Sequence, residues 1–220
     1  MCFSMEADLV AGAVLLPIGV LSLSHVREPR EVPLAALPLL LGVHQLVEAV
    51  VWAGVDGSVS SDLAHLAALV YVVIALPLLP TLFPLAVWLI ETSSRRRLVV
   101  PFLAVGVVVS AYMGLRLWQN GLDVVAHDFG LEYRVGLGFQ ELWTGAYVVA
   151  TMGACVVSSY RTVVAFGVLN LIGLTIVGLA YAQAFASLWC VYAALVSVLI
   201  LVHMVWRNPR HQPQASLAQL

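Results

Sequence analysis

His44, Gln45 and Glu48 fall inside an otherwise apolar stretch, Val32–Ala53. In a helix, His44 and Glu48 are four residues apart and share a face. Glu48 would lie roughly 8 Å below the helix end at Gly54, counting about 1.5 Å per residue. Ionisable groups at such depth in an apolar helix are costly, so they mark function first. A carboxyl kept from water can act as a Brønsted acid, and aromatic faces can stabilise a cation that its proton creates.

Other polar residues could meet Glu48. Glu6 and Asp8 precede the first apolar run, and His65 opens the third. His127, Asp128, Glu132 and Tyr133 lie in the long connection Gln119–Glu141, and Gln183 and Cys190 begin the last run. Each has a plainer reading. His44 and Gln45 can simply hydrogen-bond a neighbouring helix. Glu6 and Asp8 can complement the dipole of the first helix, and the loop acids can be solvated. Glu48 is the residue for which the mechanistic reading outweighs the structural one. Trp52, Trp118, Trp143, Trp88 and Trp206 sit near run ends, as in an interfacial aromatic belt. Trp189 sits deeper, and with Tyr71, Tyr112 and Tyr181 it is a candidate for lining a cavity near Glu48.

These residues require a membrane scaffold to position them. The 220 residues are 62% hydrophobic and 10% charged, against about 25% charged in soluble domains. Lipid must therefore cover much of the surface. A helix needs roughly 20 apolar residues to span the hydrocarbon. The runs are Asp8–Ser24, Val32–Ala53, Leu63–Ile90, Leu98–Leu117, Leu142–Ser158, Thr162–Ala180 and Ala184–Trp206, followed by a tail, 207–220. The third run contains Pro77, Pro80 and Pro84 and is kept as one kinked span on charge grounds. Arg27, Arg30, Arg95–Arg97, Arg161, Arg207 and Arg210 then share one side, and only Arg116 and Arg134 lie on the other. Arginine-rich loops stay in the cytoplasm. The fold class is thus all-α, a seven-span integral membrane bundle with the N-terminus outside and the C-terminus inside, in the cell membrane.

Gly42–Val47 resembles Gly167–Ile172, and Ala67–Val70 resembles Ala193–Val196. This suggests a three-plus-one-plus-three repeat around the fourth helix. Met1–Val26 has no basic leader or small-residue cleavage site, so the first span is expected to remain.

Several functions are excluded. The chain has no Lys, so it cannot bind retinal as a Schiff base. It has no nucleotide-binding glycine motif, and a net charge of -2 gives no reason to expect nucleic acid. Three cysteines without a CxxC imply no disulfide framework. No cofactor or metal is expected. Three reaction classes stay open. One is a terpene cyclase, in which Glu48 protonates a prenylated substrate. Another is a small-solute or proton-coupled transporter. The third is a metal-dependent lipid hydrolase drawing on His44, His65, His127, Asp8 and Cys190, although no HxxxH or HExxH is present.

Met1-Cys2-Phe3-Ser4 with Glu6-Ala7-Asp8, Leu37–Trp52, His127–Tyr133 and Ala186–Cys190 together resemble a family of small bacterial membrane proteins common in actinobacteria. The resemblance runs along nearly the whole chain. It implies a multi-span membrane fold and carries no catalytic residues across. His127 and Tyr133 stand further apart here than in the family pattern, which detaches any shared role for them. Size and topology also resemble bacterial membrane-bound sesquiterpene cyclases, a likeness of type without a motif. The expected function is therefore acid-initiated cyclisation of a lipophilic farnesyl-type substrate reached through the bilayer. Glu48 is the expected donor, and Asp8 or His44 its partner. Trp52, Tyr71, Trp189, Tyr112 and Tyr181 are the expected substrate wall.

Overall fold

The computed structural model describes residues 5–127, 130–180, 192, 194 and 196–207. These residues are mostly helical. They form α1 (Met5–Ser24), a 3-10 turn (Pro29–Glu31), α2 (Val32–Ala35), α3 (Leu37–Val55), α4 (Ser61–Val73), a π-helical segment (Ile74–Leu78) and α5 (Leu79–Ile90). α6 (Ser93–Asn120), α7 (Gln140–Val156), α8 (Arg161–Ala180) and α9 (Val198–Trp206) follow. Among the described residues, Met5–Ser24, Pro29–Val55, Ser61–Ile90 and Ser93–Asn120 are long and apolar enough to cross a membrane, and Arg161–Ile176 is apolar but shorter. Large apolar side chains on their outward faces, including Val10, Leu66, Val108 and Ile176, are more than half exposed. A surface of that kind belongs against lipid.

The chain corrects the all-helical expectation at one place. Asp123–His127 and Gly130–Arg134 form an antiparallel hairpin, β1 and β2, between α6 and α7. Its cause is local. Val124, Val125 and Tyr133 favour strands, and Leu131 and Tyr133 alternate with Glu132 and Arg134 in the period of two that buries one face. Leu131 is fully buried against Val51, Ala67 and Ala68 at the ends of α3 and α4.

Ser61–Ile90 runs as one rod despite its prolines, because the hydrogen-bond register slips. Pro77 has no N–H to offer the Val73 carbonyl, four residues back. The chain answers with a π turn, in which the Leu79 N–H donates to the Ile74 carbonyl. Leu79 has thereby passed over Ala75, and the next candidate donor, Pro80, also has none. The Ala75 carbonyl instead accepts from the Tyr147 hydroxyl of α7 at 2.8 Å. This bond ties the kink to α7.

Helix contacts run from α1 to α3, from α3 to α4, from α5 to α6 and α7, from α7 to α8, from α8 to α9, and from α9 back to α1. Arg207 closes the ring at the arginine-rich end. Its guanidinium pairs with Glu31 at 2.8 Å and donates to the His25 carbonyl at 2.7 Å. α1 and α3 approach most closely at glycines. A Cβ on Gly19 would overlap the Leu39 backbone, and one on Gly12 would overlap Leu46. Such small-residue contacts let membrane helices pack backbone to backbone.

Gly19→Ala is therefore expected to cost about 1–3 kcal/mol, the usual penalty of overpacking. Gly145, whose Cβ would meet nothing within 4 Å, should tolerate the same change. Thermal unfolding of the two variants in detergent checks the contrast.

Candidate functional site

The tight crossing of α1 and α3 sets the site. Asp8 stands one turn before Gly12 on α1, and Glu48 stands beyond Gly42 on α3. Both carboxyls are fully buried, at 1% and 0% exposure, and lie within electrostatic reach of each other. The Trp52 indole lies beside Asp8 without completing a hydrogen bond of good geometry. Gln45 shares this face of α3 and is likewise fully buried. Neither its amide nitrogen nor its oxygen has a partner among the described residues, and neither oxygen of Asp8 is bonded. Buried polar atoms of this kind usually cost about 1–3 kcal/mol each, and several of them gather at this crossing.

His44 points from the same helix toward α4. Its Nε2–H donates to the Tyr71 carbonyl at 3.1 Å, because a carbonyl can only accept. Nε2 carries the proton, and Nδ1, which has no partner among the described residues, presents a lone pair. The imidazole stacks on the Tyr71 ring at 3.9 Å, and Tyr71 stacks on Tyr133 at 4.4 Å. The Tyr133 hydroxyl then donates to Glu48 Oε1 at 3.3 Å. The hairpin thus contributes a side chain to the buried acid through a three-ring stack.

The hairpin's other face carries a charged clasp. Glu132 accepts from Arg134 at 2.9 Å and pairs with His127 Nε2 at 2.7 Å. Arg134, then His127, holds the Glu132 carboxyl below its ordinary range. Behind the hairpin, Arg116 and Asn120 of α6 donate to the carbonyls of Val135 and Gly136. Gly136 adopts φ +62°, a left-handed conformation that glycine takes without strain.

The expected site residues divide into three groups. Asp8, His44, Glu48, Trp52 and Tyr71 come together. Tyr112 has different company: it stacks on Trp143 at 3.8 Å and donates to the Gly138 carbonyl at 3.0 Å. Tyr181 and Trp189 lie outside the described residues, as do Asp128, Gln183 and Cys190. His65 is exposed and His127 is held by Glu132, so the ligand types weighed for zinc are spread over separate elements. Among the described residues no three His, Cys, Asp or Glu side chains converge as a metal site. Sequence reasoning gave Gln45 only a bond to a neighbouring helix, and named Tyr133 as one of several residues that could meet Glu48 without placing it in the site. The alternation of Leu131 and Tyr133 was the available signal for the latter.

A second buried polar network occupies the arginine-rich end. Glu91, 1% exposed, accepts from the Ser158 hydroxyl at 2.6 Å, and from the Ser159 N–H at 2.8 Å and hydroxyl at 2.6 Å. It staples the end of α5 to the α7–α8 turn. Burial and the nearby Glu91 raise the Tyr160 hydroxyl above its ordinary value. Arg96 donates to the Trp88, Leu89 and Glu91 carbonyls and so caps α5. Every donor on Glu91 is local and satisfied, so this network reads as a fastening.

Two outcomes follow. Glu91→Ala should lower stability by at least about 1.5–3 kcal/mol, the worth of one hydrogen bond to a charged group, in a detergent melt. The Glu132 clasp depends on the charged carboxylate, whose folded value is depressed. Its contribution is complete above the ordinary carboxylate range and is lost as pH falls through the depressed value. Limited proteolysis of the hairpin should therefore accelerate only in strong acid, and Glu132→Gln should remove that dependence.

No curated protein and no solved structure matches the chain. Residues 1–216 match DUF6629, a family of unknown function, and the chain belongs to that family.

Proposed function

We propose that this protein is a membrane-embedded acid catalyst of the terpene cyclase type, acting on a lipophilic farnesyl-type substrate. In this reading the bundle has seven spans, the N-terminus outside, the C-terminus inside, and two helix triplets related by the repeat around α6. The observation that carries the proposal is the juxtaposition of the Asp8 and Glu48 carboxyls, both without exposure to water. Two neighbouring buried carboxyls can divide the roles of proton donor and acceptor, as paired acids do in acid–base enzymes.

The chemistry balances without a co-reactant. Glu48 gives its proton to an alkene carbon or epoxide oxygen of the substrate, and a carbocation forms at the adjacent carbon. A second alkene of the same chain attacks it, so one C–C bond forms and the charge moves on. Loss of a proton from the carbon next to the final cation restores an alkene and reloads the carboxyl pair. The product is an isomer of the substrate. Asp8 is the partner that geometry favours over His44, whose Nε2–H is committed to Tyr71. Trp52 lies beside Asp8 and Tyr133 touches Glu48, so these two aromatics flank the pair. Tyr71 lies between His44 and Tyr133 and therefore shapes the site through the stack, its own faces being occupied. Apolar walls keep water from quenching the cation. The substrate enters sideways from the lipid, which suits a site near the hairpin end for a precursor made in the cytoplasm.

A transporter coupled to protons is the second reading. The slipped register at Ile74–Leu78 beside the buried polar cluster supports it, since π segments frequently occur at functional sites and interrupted helices often form transporter sites.

Expression in a host that supplies farnesylated indole or its epoxide separates the two. The expected result is a new product of unchanged mass and altered retention, lost in Glu48→Gln. If several prenylated substrates return no new product while the protein is present in the membrane, the cyclase reading is withdrawn and proton-coupled uptake by proteoliposomes becomes the assay.

A further inference from the structure

We propose that Tyr133, carried by the hairpin, is the residue through which Glu48 exchanges its proton with water. This deepens the acid–base reading above and rests on it only for the consequence, since proton exchange can be measured without any substrate.

Glu48, His44 and Tyr71 are fully buried, and Asp8 is almost so. Tyr133 is half-buried and touches both environments. Its ring is the outermost member of the stack on Tyr71 and His44, and its hydroxyl reaches Glu48 Oε1 at 3.3 Å. The neighbouring residues of the same strand, Glu132 and Arg134, face away from the bundle, and Glu132 is bound to His127. The period-two geometry of a strand thus puts a charged, hydrated face and a hydroxyl aimed at the buried acid one residue apart. The stack holds the ring, Leu131 anchors the strand, and the hydroxyl is left to move a proton.

The step is a relay. The Tyr133 hydroxyl gives its proton to Glu48 Oε1 and takes one from a water at the hairpin surface; in the reverse direction each transfer runs backward. No bond other than O–H is made or broken, and Tyr133 is unchanged at the end. A carboxyl that has passed its proton to Asp8 or to a substrate is recharged by this route from the hairpin side of the bundle.

The test is hydrogen–deuterium exchange of the Glu48 carboxyl, followed by infrared spectroscopy on the full chain in lipid. The carboxylic C=O band that disappears in Glu48→Gln identifies the group. On transfer to deuterated water, this band should shift on the order of a hundredfold more slowly in Tyr133→Phe, a typical contribution of a positioned proton-transfer group. The phenyl ring preserves the stack, so a purely structural role predicts unchanged or faster exchange, and either result overturns the proposal. A ring-fluorinated tyrosine incorporated at position 133 keeps both ring and hydroxyl while making the hydroxyl more acidic. It should change the exchange rate, and an unchanged rate would also overturn the assignment. Because neither measurement needs turnover, failure to find a cyclisation product leaves this result standing, and failure here leaves the cyclase assay to be judged separately.

Discussion

The architecture depends on how closely α1 can approach α3. Gly12 and Gly19 on one helix, and Gly42 on the other, remove the side chains that would hold the backbones apart. Without a hydrophobic drive between helices in lipid, such van der Waals contact is a main source of association. It also has a chemical result. Asp8 and Glu48 are both buried at this crossing and within electrostatic reach of each other. Gln45 and Trp52, on the same side of α3, share that crossing.

The rest of the bundle supports that crossing from both ends. At the arginine-rich end, Glu91 and Glu31 are buried and bonded. Glu91 fastens α5 to the α7–α8 turn, and Arg207 joins α9 to Glu31 and His25. In the middle, the prolines of Ser61–Ile90 leave the Ala75 carbonyl for Tyr147. The His44 imidazole uses the Tyr71 carbonyl nearby. Both are cases of irregular helix backbone finding side-chain donors inside protein, as the membrane interior demands.

At the opposite end the hairpin does what a helix could not. A strand presents alternate residues to opposite faces, so it can seal the bundle with Leu131 and Tyr133 and meet water with Glu132 and Arg134. A helix entering there would need a full apolar stripe and would bring its own unsatisfied ends. The buried cluster is thus shared between long apolar helices and a connection whose length gave no hint of order.

The sequence by itself determined the long apolar helices, the continuity of Ser61–Ile90 as a single rod, and the placing of Glu48 inside an apolar helix. These follow from hydropathy and helical spacing, which are local quantities. It also marked Asp8, His44, Trp52 and Tyr71 as candidates by residue type and position. It did not reveal that Tyr112 belongs with Trp143 or that Gln45 lies on the buried crossing, and it could not single out Tyr133, 85 residues away, from the other polar residues that could have met Glu48. Composition places a side chain at a depth in the membrane, whereas its partner across the bundle depends on helix rotation and close approach. Glycine contacts and the proline-shifted register fix those, and both act only once the helices have packed.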